Sequence, residues 1–207
     1  MIILAFDTCL DKTYAVLKKA DDVIASEVIE NTDAKYHSAF LISTLQKIMK
    51  SHNIKPKDID LIAVNIGPGS FTGIRACITV ARVMGQQLKC KVIGVSSLEI
   101  LANTVSKQDR SVLVALDARK NKAYLWQNNE IKGAVEIEKV KEIIKSGQYE
   151  VITDDKLQPI LGGKSYQQEH YPIGEILAEL AFEKIKYSNG DWKNVLPLYI
   201  QPPPAGN

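Results

Sequence analysis

Two stretches of the chain, 110 residues apart, share a strand–turn–strand pattern, and this repeat constrains the fold more than any other feature of the sequence. Residues 5–19 read AFDTCLDKTYAVLKK and residues 115–129 read ALDARKNKAYLWQNN. The identities at this offset are Ala5/Ala115, Asp7/Asp117, Lys12/Lys122 and Tyr14/Tyr124. Residues 112–207, which end in a last predicted helix at residues 173–187, leave less room for the later strand–helix units than the first half does. The repeat predicts a duplicated fold with a shortened second copy, although any two hairpins share such a pattern and that simpler explanation stays open.

The order of the predicted elements indicates how the chain folds. Three strands come first, and helices predicted over residues 36–52 and 70–88 then flank a strand over residues 59–66. An antiparallel meander that leads into crossover helices predicts a mixed sheet with helices packed on it. We therefore expect an α/β protein of two lobes, residues 1–108 and residues 109–207, the second ending in a proline-rich tail.

The composition excludes several classes of protein. The chain has 207 residues, of which 45% are hydrophobic and 24% charged, as in ordinary globular proteins with a core. A net charge of +2 is too small to indicate a nucleic-acid-binding protein. The first apolar run, IILAF, stops at Asp7 and is too short for a signal peptide or a membrane span. Cys9, Cys77 and Cys90 have neither CxxC nor metal-site spacing, which predicts packed thiols and a cytoplasmic location.

A glycine-rich loop, GPGSFTG at residues 67–73, lies between a predicted strand and a predicted helix. That layout is typical of an anion site at a helix N-terminus. The loop lacks the Gly-Lys-Ser/Thr ending of a P-loop, and its third glycine comes one position too late for a dinucleotide fingerprint. Ser70 is the predicted N-cap. Gly73 in the first helical turn indicates that either a phosphate or a neighbouring protein segment approaches the backbone there.

The first predicted hairpin carries a second candidate for phosphate binding. Asp7 ends the first strand and Thr8 follows it, as in the first phosphate loop of actin-like and sugar-kinase ATPases; a plain turn residue is the alternative. The second copy, DARKNKAY, has bulky charged residues that suit backbone phosphate binding poorly. We assign a vestigial phosphate-loop motif to Asp7, Thr8, Gly67, Pro68, Gly69, Ser70, Phe71, Thr72, Gly73 and Arg75.

Catalytic and metal-binding residues are scarce in the sequence. The only histidines are His37, His52 and His170. His37 lies on a predicted helix, but Leu41 follows at the position where a metal-binding pair would need a second histidine. The local sequence contains no pattern typical of a Ser-His-Asp or Cys-His site. We therefore expect neither a catalytic residue nor a metal site in this chain.

The two predicted helices carry more apolar surface than one sheet face can bury. On the helix at residues 70–88, apolar side chains cover about two thirds of the circumference, wider than the ~100° stripe that packing on a sheet requires. The helices could cover each other, or a partner could dock on them. We predict a partner interface formed by Tyr36, Phe40, Ala76, Val80, Val83 and Met84.

Four segments of the sequence resemble the TsaB family, also called YeaZ: LAFDTC, IAVNIGPGSFTGIR, VIGVSSLEILA and ALDAR. The resemblance is strong over residues 1–125 and weak at PLYI near the end of the chain. GPGSFTGIR followed by SSLE is highly specific for this family. Cys9 departs from the pattern, where a small hydroxyl residue is usual, and so does Gln201, where arginine is common. These departures bear on nucleotide binding more than on pairing with a partner.

The resemblance implies an actin-like ATPase fold, which is a duplicated ribonuclease H-like fold, and a non-catalytic role in tRNA threonylcarbamoyladenosine synthesis. Its implied partners are TsaD, which carries the metal-binding histidine pair and performs the transfer, the ATPase TsaE, and a second copy of the chain when isolated. ATP and metal are then expected in the partner subunits, and tRNA only through the complex. Two alternatives stay open: an ATP-dependent small-molecule kinase of the same fold, and an M22-like metallopeptidase.

Overall fold

The computed structural model describes residues 1–30, 40–105 and 111–201, and its strands form two five-stranded sheets. The first sheet consists of β1 (Ile2–Asp7), β2 (Thr13–Lys19), β3 (Asp22–Ile29), β4 (Leu61–Asn65) and β5 (Lys91–Val95). The second consists of β6 (Ser111–Asp117), β7 (Lys122–Gln127), β8 (Glu130–Glu136), β9 (Tyr149–Thr153) and β10 (Lys164–Ser165). The helices are α1 (Leu41–Ser51), α2 (Phe71–Leu88), α3 (Ser97–Ala102), α4 (Ile137–Ser146), α5 (Gln158–Leu161) and α6 (Ile173–Lys184).

The two sheets have the same topology. The first has the order β3-β2-β1-β4-β5, and the second has the corresponding order β8-β7-β6-β9-β10. The central strands are β1 and β6. Strand β1 pairs antiparallel with β2 and parallel with β4, and β6 likewise pairs antiparallel with β7 and parallel with β9. The duplicated α/β fold predicted from the repeat is therefore confirmed.

The hairpins show that the repeat is not in uniform register. Asp7 lies opposite Tyr14 in the first hairpin, whereas Asp117 lies opposite Ala123 in the second. Equivalent residues are thus 110 apart on the first strand of each hairpin (117 − 7) but 109 apart on the second (123 − 14). Tyr14 and Tyr124 were predicted to occupy equivalent positions, and this is wrong. The second turn is one residue shorter, so the structural equivalent of Tyr14 is Ala123.

The second copy is shortened in its last crossover. In the first copy, β4 leads to β5 through α2, a helix of 18 residues. In the second, β9 leads to β10 through α5, which has four residues, and β10 itself has only two. The loss of a long helix between parallel strands accounts for the shorter second half.

The first sheet is covered on both faces. One face packs against α1 and α2 in a core that includes Leu4, Phe6 and Leu17. Because side chains alternate along a strand, Val16 points to the opposite face. There α6 packs so closely that a Cβ on Gly174 would come within 2.6 Å of the Val16 Cγ2 atom.

Contacts divide the chain differently from the predicted lobes of residues 1–108 and 109–207. One compact unit contains Met1–Ser97 together with Ile173–Leu198, and the other is built on Leu98–Pro172. Helix α6 was predicted in the second lobe, but it packs on strands of the first sheet. The second unit has its own core around Leu113, Leu125 and Val140. Within the described ranges, no helix has both the length and the apolar character needed to cross a membrane.

Candidate functional site

The glycine-rich loop lies against the turn of the first hairpin. A Cβ atom on Gly73 would overlap the carbonyl oxygen of Thr8, and one on Gly69 would overlap that of Cys9. Both glycines are therefore required by the close approach of two backbone segments. Of the two alternatives left open by the sequence, the neighbouring protein segment is the one that the structure places at Gly73.

Hydrogen bonds fix the hairpin turn to the start of α2. The Ser70 N–H donates to the Cys9 carbonyl oxygen at 2.7 Å, and the Thr8 hydroxyl donates to the Gly73 carbonyl oxygen at 2.9 Å. The Ser70 hydroxyl accepts from the Gly73 N–H at 3.2 Å, so Ser70 is the N-cap, as predicted. The hairpin turn and the glycine-rich loop thus form one packed unit.

Asp7 is fully buried beneath this contact. Its Oδ1 atom accepts from the Cys9 N–H at 2.5 Å, while Oδ2 has no hydrogen-bond donor among the described residues. Burial raises the pKa of Asp7 to about 6, although the Cys9 N–H and the neighbouring Asn65 side chain offset part of the effect. A carboxylate in this position has no access to a ligand in solvent.

Asn65 was not identified from the sequence, although it holds the loop in place. It ends β4, next to Asp7 at the end of β1, and is fully buried. Its Oδ1 atom accepts from the Gly67 N–H at 2.8 Å and from the Ser97 hydroxyl at 2.9 Å. The only available signal was a polar residue ending an apolar strand immediately before the glycines.

Two buried thiols complete the polar cluster. The side-chain ligand atoms of Asp7, Cys9 and Cys77 lie within 4.8 Å of one another. The Thr8 N–H donates to the Cys77 sulfur at 3.0 Å, and the Cys9 thiol donates to the Asn65 carbonyl oxygen at 3.3 Å. Burial raises the pKa of the Cys9 thiol well above its usual range. Metal ligation requires thiolates, so this environment favours a packed neutral thiol at Cys9.

The equivalent aspartate of the second copy has a different environment. The Oδ1 atom of Asp117 accepts from the Arg119 N–H at 2.8 Å, and Oδ2 accepts from Lys156 Nζ at 2.9 Å. Partial burial tends to raise the pKa of Asp117, but Lys156 and the Arg119 N–H outweigh it and hold the pKa below its usual range. The pKa is therefore raised for the aspartate of the first hairpin and lowered for the aspartate of the second.

The outer surface of α1 and α2, called the α1–α2 face below, exposes apolar side chains. Phe40, immediately before α1, and Val83 of α2 are each 53% exposed. Ala76, Val80 and Met84 are half-buried, and Val80 and Met84 also pack against the core. Tyr36 lies outside the described residues. Exposed residues that the sequence did not assign to this face are Ile42 and Phe71.

Comparisons with known proteins match a TsaD family model and curated proteins named TsaB. A family model described as TsaD, tRNA N6-adenosine threonylcarbamoyltransferase, matches residues 23–153, more than half of the chain. The chain is 31% identical to the tRNA threonylcarbamoyladenosine biosynthesis protein TsaB of Buchnera aphidicola subsp. Schizaphis graminum, covering 70% of this chain and 73% of that protein. It is 26% identical to the protein of the same name from Bacillus subtilis, covering 97% and 94%.

Solved structures show the same fold. YeaZ from Pseudomonas aeruginosa superposes with a TM-score of 0.73 at 23% identity, covering 96% of this chain and 99% of that one. A protein described as similar to peptidase YEAZ, also from Pseudomonas aeruginosa, gives a TM-score of 0.77 at 22% identity, with 97% and 99% covered.

Proposed function

The chain belongs to the TsaB (YeaZ) family, and from that premise we propose that it is a non-catalytic subunit that binds and activates TsaD. The reaction it supports is transfer of a threonylcarbamoyl group to the adenosine next to the anticodon, in tRNAs that read codons starting with A. TsaE joins the complex, ATP and metal are bound by the partner subunits, and tRNA is contacted only through the assembly. The transfer reaction takes place in the cytoplasm, where tRNA is modified.

The buried hairpin contact supports a non-catalytic role. In an ATPase of this fold class, the aspartate at the end of the first strand must reach a metal ion or its water. Here Asp7 is fully buried, and the backbone of Thr8 and Cys9 occupies the approach to the glycines. The residues of the vestigial phosphate loop therefore serve to position α2.

The exposed apolar α1–α2 face is the observation that carries the proposal. Apolar residues on the outside of two neighbouring helices favour association with another protein surface. We assign the TsaD contact to this face, with Phe40, Ala76 and Val83 in the contact and Val80 and Met84 supporting it from beneath. A second copy of the isolated chain would use the same face and would compete with TsaD, since closed symmetric dimers are the usual result of such a patch.

Reconstitution of the transfer reaction tests this function. TsaD, TsaE and unmodified tRNA are incubated with ATP and the threonylcarbamoyl donor, with and without this chain. We expect modified tRNA only when the chain is present, and no ATP turnover by the chain alone. Full modification without the chain would contradict the activating role, and transfer by the chain without TsaD would contradict the non-catalytic one.

A further inference from the structure

Helices α1 and α2 carry excess positive charge as well as exposed apolar side chains. Neither α1 nor α2 contains an aspartate or a glutamate. The helices carry four cations, Lys47, Lys50, Arg75 and Arg82, whereas the whole chain has a net charge of only +2. The rest of the chain therefore sums to −2, and the excess positive charge is concentrated on the two helices that bear the exposed apolar residues.

These cations differ in whether a carboxylate of the described residues neutralises them. Lys47 pairs with Glu27 of β3 at 3.1 Å. Among the residues that the structure describes, Lys50, Arg75 and Arg82 have no carboxylate within 4.0 Å. The two arginines instead lie over aromatic rings, Arg75 at 5.3 Å from the Phe71 centroid and Arg82 at 5.5 Å from the Trp192 centroid. The rings hold both guanidinium groups in place without neutralising their charge.

The arginines lie on one flank of α2. They are seven residues apart on α2, so they share one side of the helix and are separated by about 10 Å along its axis. Ala76 and Val83, one residue after each arginine, are also seven apart and lie about 100° further round the helix. A partner that covers Ala76 and Val83 and extends over this flank of α2 would reach Arg75, which is exposed, and Arg82, which is half-buried.

Resting on the proposed function, we infer that the partner surface that docks on the α1–α2 face is a helix with an apolar strip flanked by carboxylates about two turns apart. Each carboxylate meets one of the two arginines, Arg75 and Arg82. Complementary charge at the rim of an interface steers association and selects the correct partner. A second copy of this chain presents only cations on the same two helices, so self-association through this face brings like charges together.

The inference predicts opposite salt dependence for the two assemblies. Salt screens attraction between the arginines and partner carboxylates, and it equally screens repulsion between two copies of the chain. We expect the affinity for TsaD to fall roughly tenfold between 50 and 500 mM NaCl, while self-association strengthens or stays constant. Isothermal titration for the complex and sedimentation equilibrium for the chain alone measure both.

Charge removal provides the matched test. Arg75→Gln and Arg82→Gln should each weaken TsaD binding about threefold at 50 mM NaCl and little at 500 mM, and the double variant should self-associate more strongly than the parent. Arg75→Glu with Arg82→Glu should weaken TsaD binding further, because it places carboxylates against carboxylates. Arg119→Gln removes an exposed arginine from the second unit and should change neither affinity.

The outcomes separate this inference from the proposed function. A complex with TsaD that is insensitive to salt and to both arginine variants would overturn the carboxylate-bearing partner surface and leave the pairing intact. Stronger TsaD binding by the double glutamine variant would do the same. Absence of any complex with TsaD at either salt concentration would overturn the proposed function and this inference together.

Discussion

Asp7 and Asp117 end equivalent strands in the two copies of the fold, yet only one of them is sealed from solvent. Asp7 is covered by the hairpin turn and the start of α2, whereas Asp117 pairs with Lys156 near the surface. Lys156 lies in the loop after β9, the counterpart of the glycine-rich loop after β4. The long α2 anchors one loop over its carboxylate, and the four-residue α5 leaves the other loop with a charged side chain. Shortening a crossover helix therefore changes the chemistry of the strand end beneath it.

The largest effect is expected from adding a side-chain atom at Gly73, where the start of α2 contacts the backbone of the first hairpin turn. Gly73→Ala would gain about 1 kcal/mol of helix propensity, but the added Cβ overlaps the Thr8 carbonyl oxygen, which belongs to backbone and cannot rotate away. We expect a net loss of about 3 kcal/mol or more in the free energy of unfolding. Urea denaturation measures it, with Thr72→Ala, at an exposed position one residue earlier, as the control that should change little. Wild-type stability in Gly73→Ala would mean that the two segments are not in contact.

The buried carboxylate should make stability fall as the pH rises. Because burial raises the pKa of Asp7 from 3.8 to about 6, the native state holds a proton between those pH values that the unfolded state releases. The free energy of unfolding should thus decrease by up to about 3 kcal/mol between pH 4 and pH 7. Asp7→Asn should remove this part of the pH dependence. If the free energy of unfolding changed equally with pH in the variant and the parent over that range, Asp7 would be ionised in the folded protein without a free-energy cost.

Asp117 should give a smaller effect of opposite sign. Its pKa lies below the usual value when folded, so its contribution is present above about pH 4 and is lost as the pH falls through the folded pKa. Because the pair with Lys156 is partly exposed, Asp117→Asn should cost under about 1 kcal/mol at neutral pH. Denaturation at pH 7 and pH 3 checks this, and Lys156→Gln should reproduce it. A cost for Asp117→Asn as large as the Asp7 effect would remove the distinction between the two copies.

The smallest expected effect is on nucleotide binding by the isolated chain. One hairpin is filled by its own backbone contact and the other carries bulky charged residues, so neither copy offers a glycine-lined cradle for phosphate. Titration with ATP and magnesium should give no binding, or a Kd above ~10 μM, which corresponds to about −7 kcal/mol. A tighter Kd would favour the ATP-dependent kinase alternative.

Much of the fold follows from local sequence signals. The strong apolar strands β1 and β4, the Ser70 N-cap and the 18-residue α2 were predicted because each has a periodic pattern or a capping residue within a few positions. The small elements α5 and β10 were not predicted, since segments of two to four residues carry too few positions to establish a period. Strand β9 was not predicted either. Helix α6 was predicted as an element, but not its packing on the first sheet, which depends on contacts distant in sequence.

The candidate site could be predicted only in outline. Gly73 indicated a close approach, but the approaching atom belongs to Thr8, 65 residues away, and no local signal identifies it. The roles of Asn65 and Cys77 likewise arise from contacts between strand ends and a helix. On the α1–α2 face, helical periodicity put Val80, Val83 and Met84 at the surface. Val83 is 53% exposed, whereas Val80 and Met84 are half-buried and also contact the core.

The most direct test of the central claim is whether one charge on the α1–α2 face abolishes pairing with TsaD. Val83 suits the test better than Val80, because it is 53% exposed and its substitution leaves the core intact. Val83→Glu should lower the affinity for TsaD at least thirtyfold, or about 2 kcal/mol, by burying a carboxylate in an apolar contact. Ile160→Glu, at a 47% exposed site on α5, is the matched control and should bind normally. Light scattering of each folded variant with TsaD should find the heterodimer for Ile160→Glu and separate monomers for Val83→Glu. A folded Val83→Glu variant that still forms the heterodimer would contradict the account.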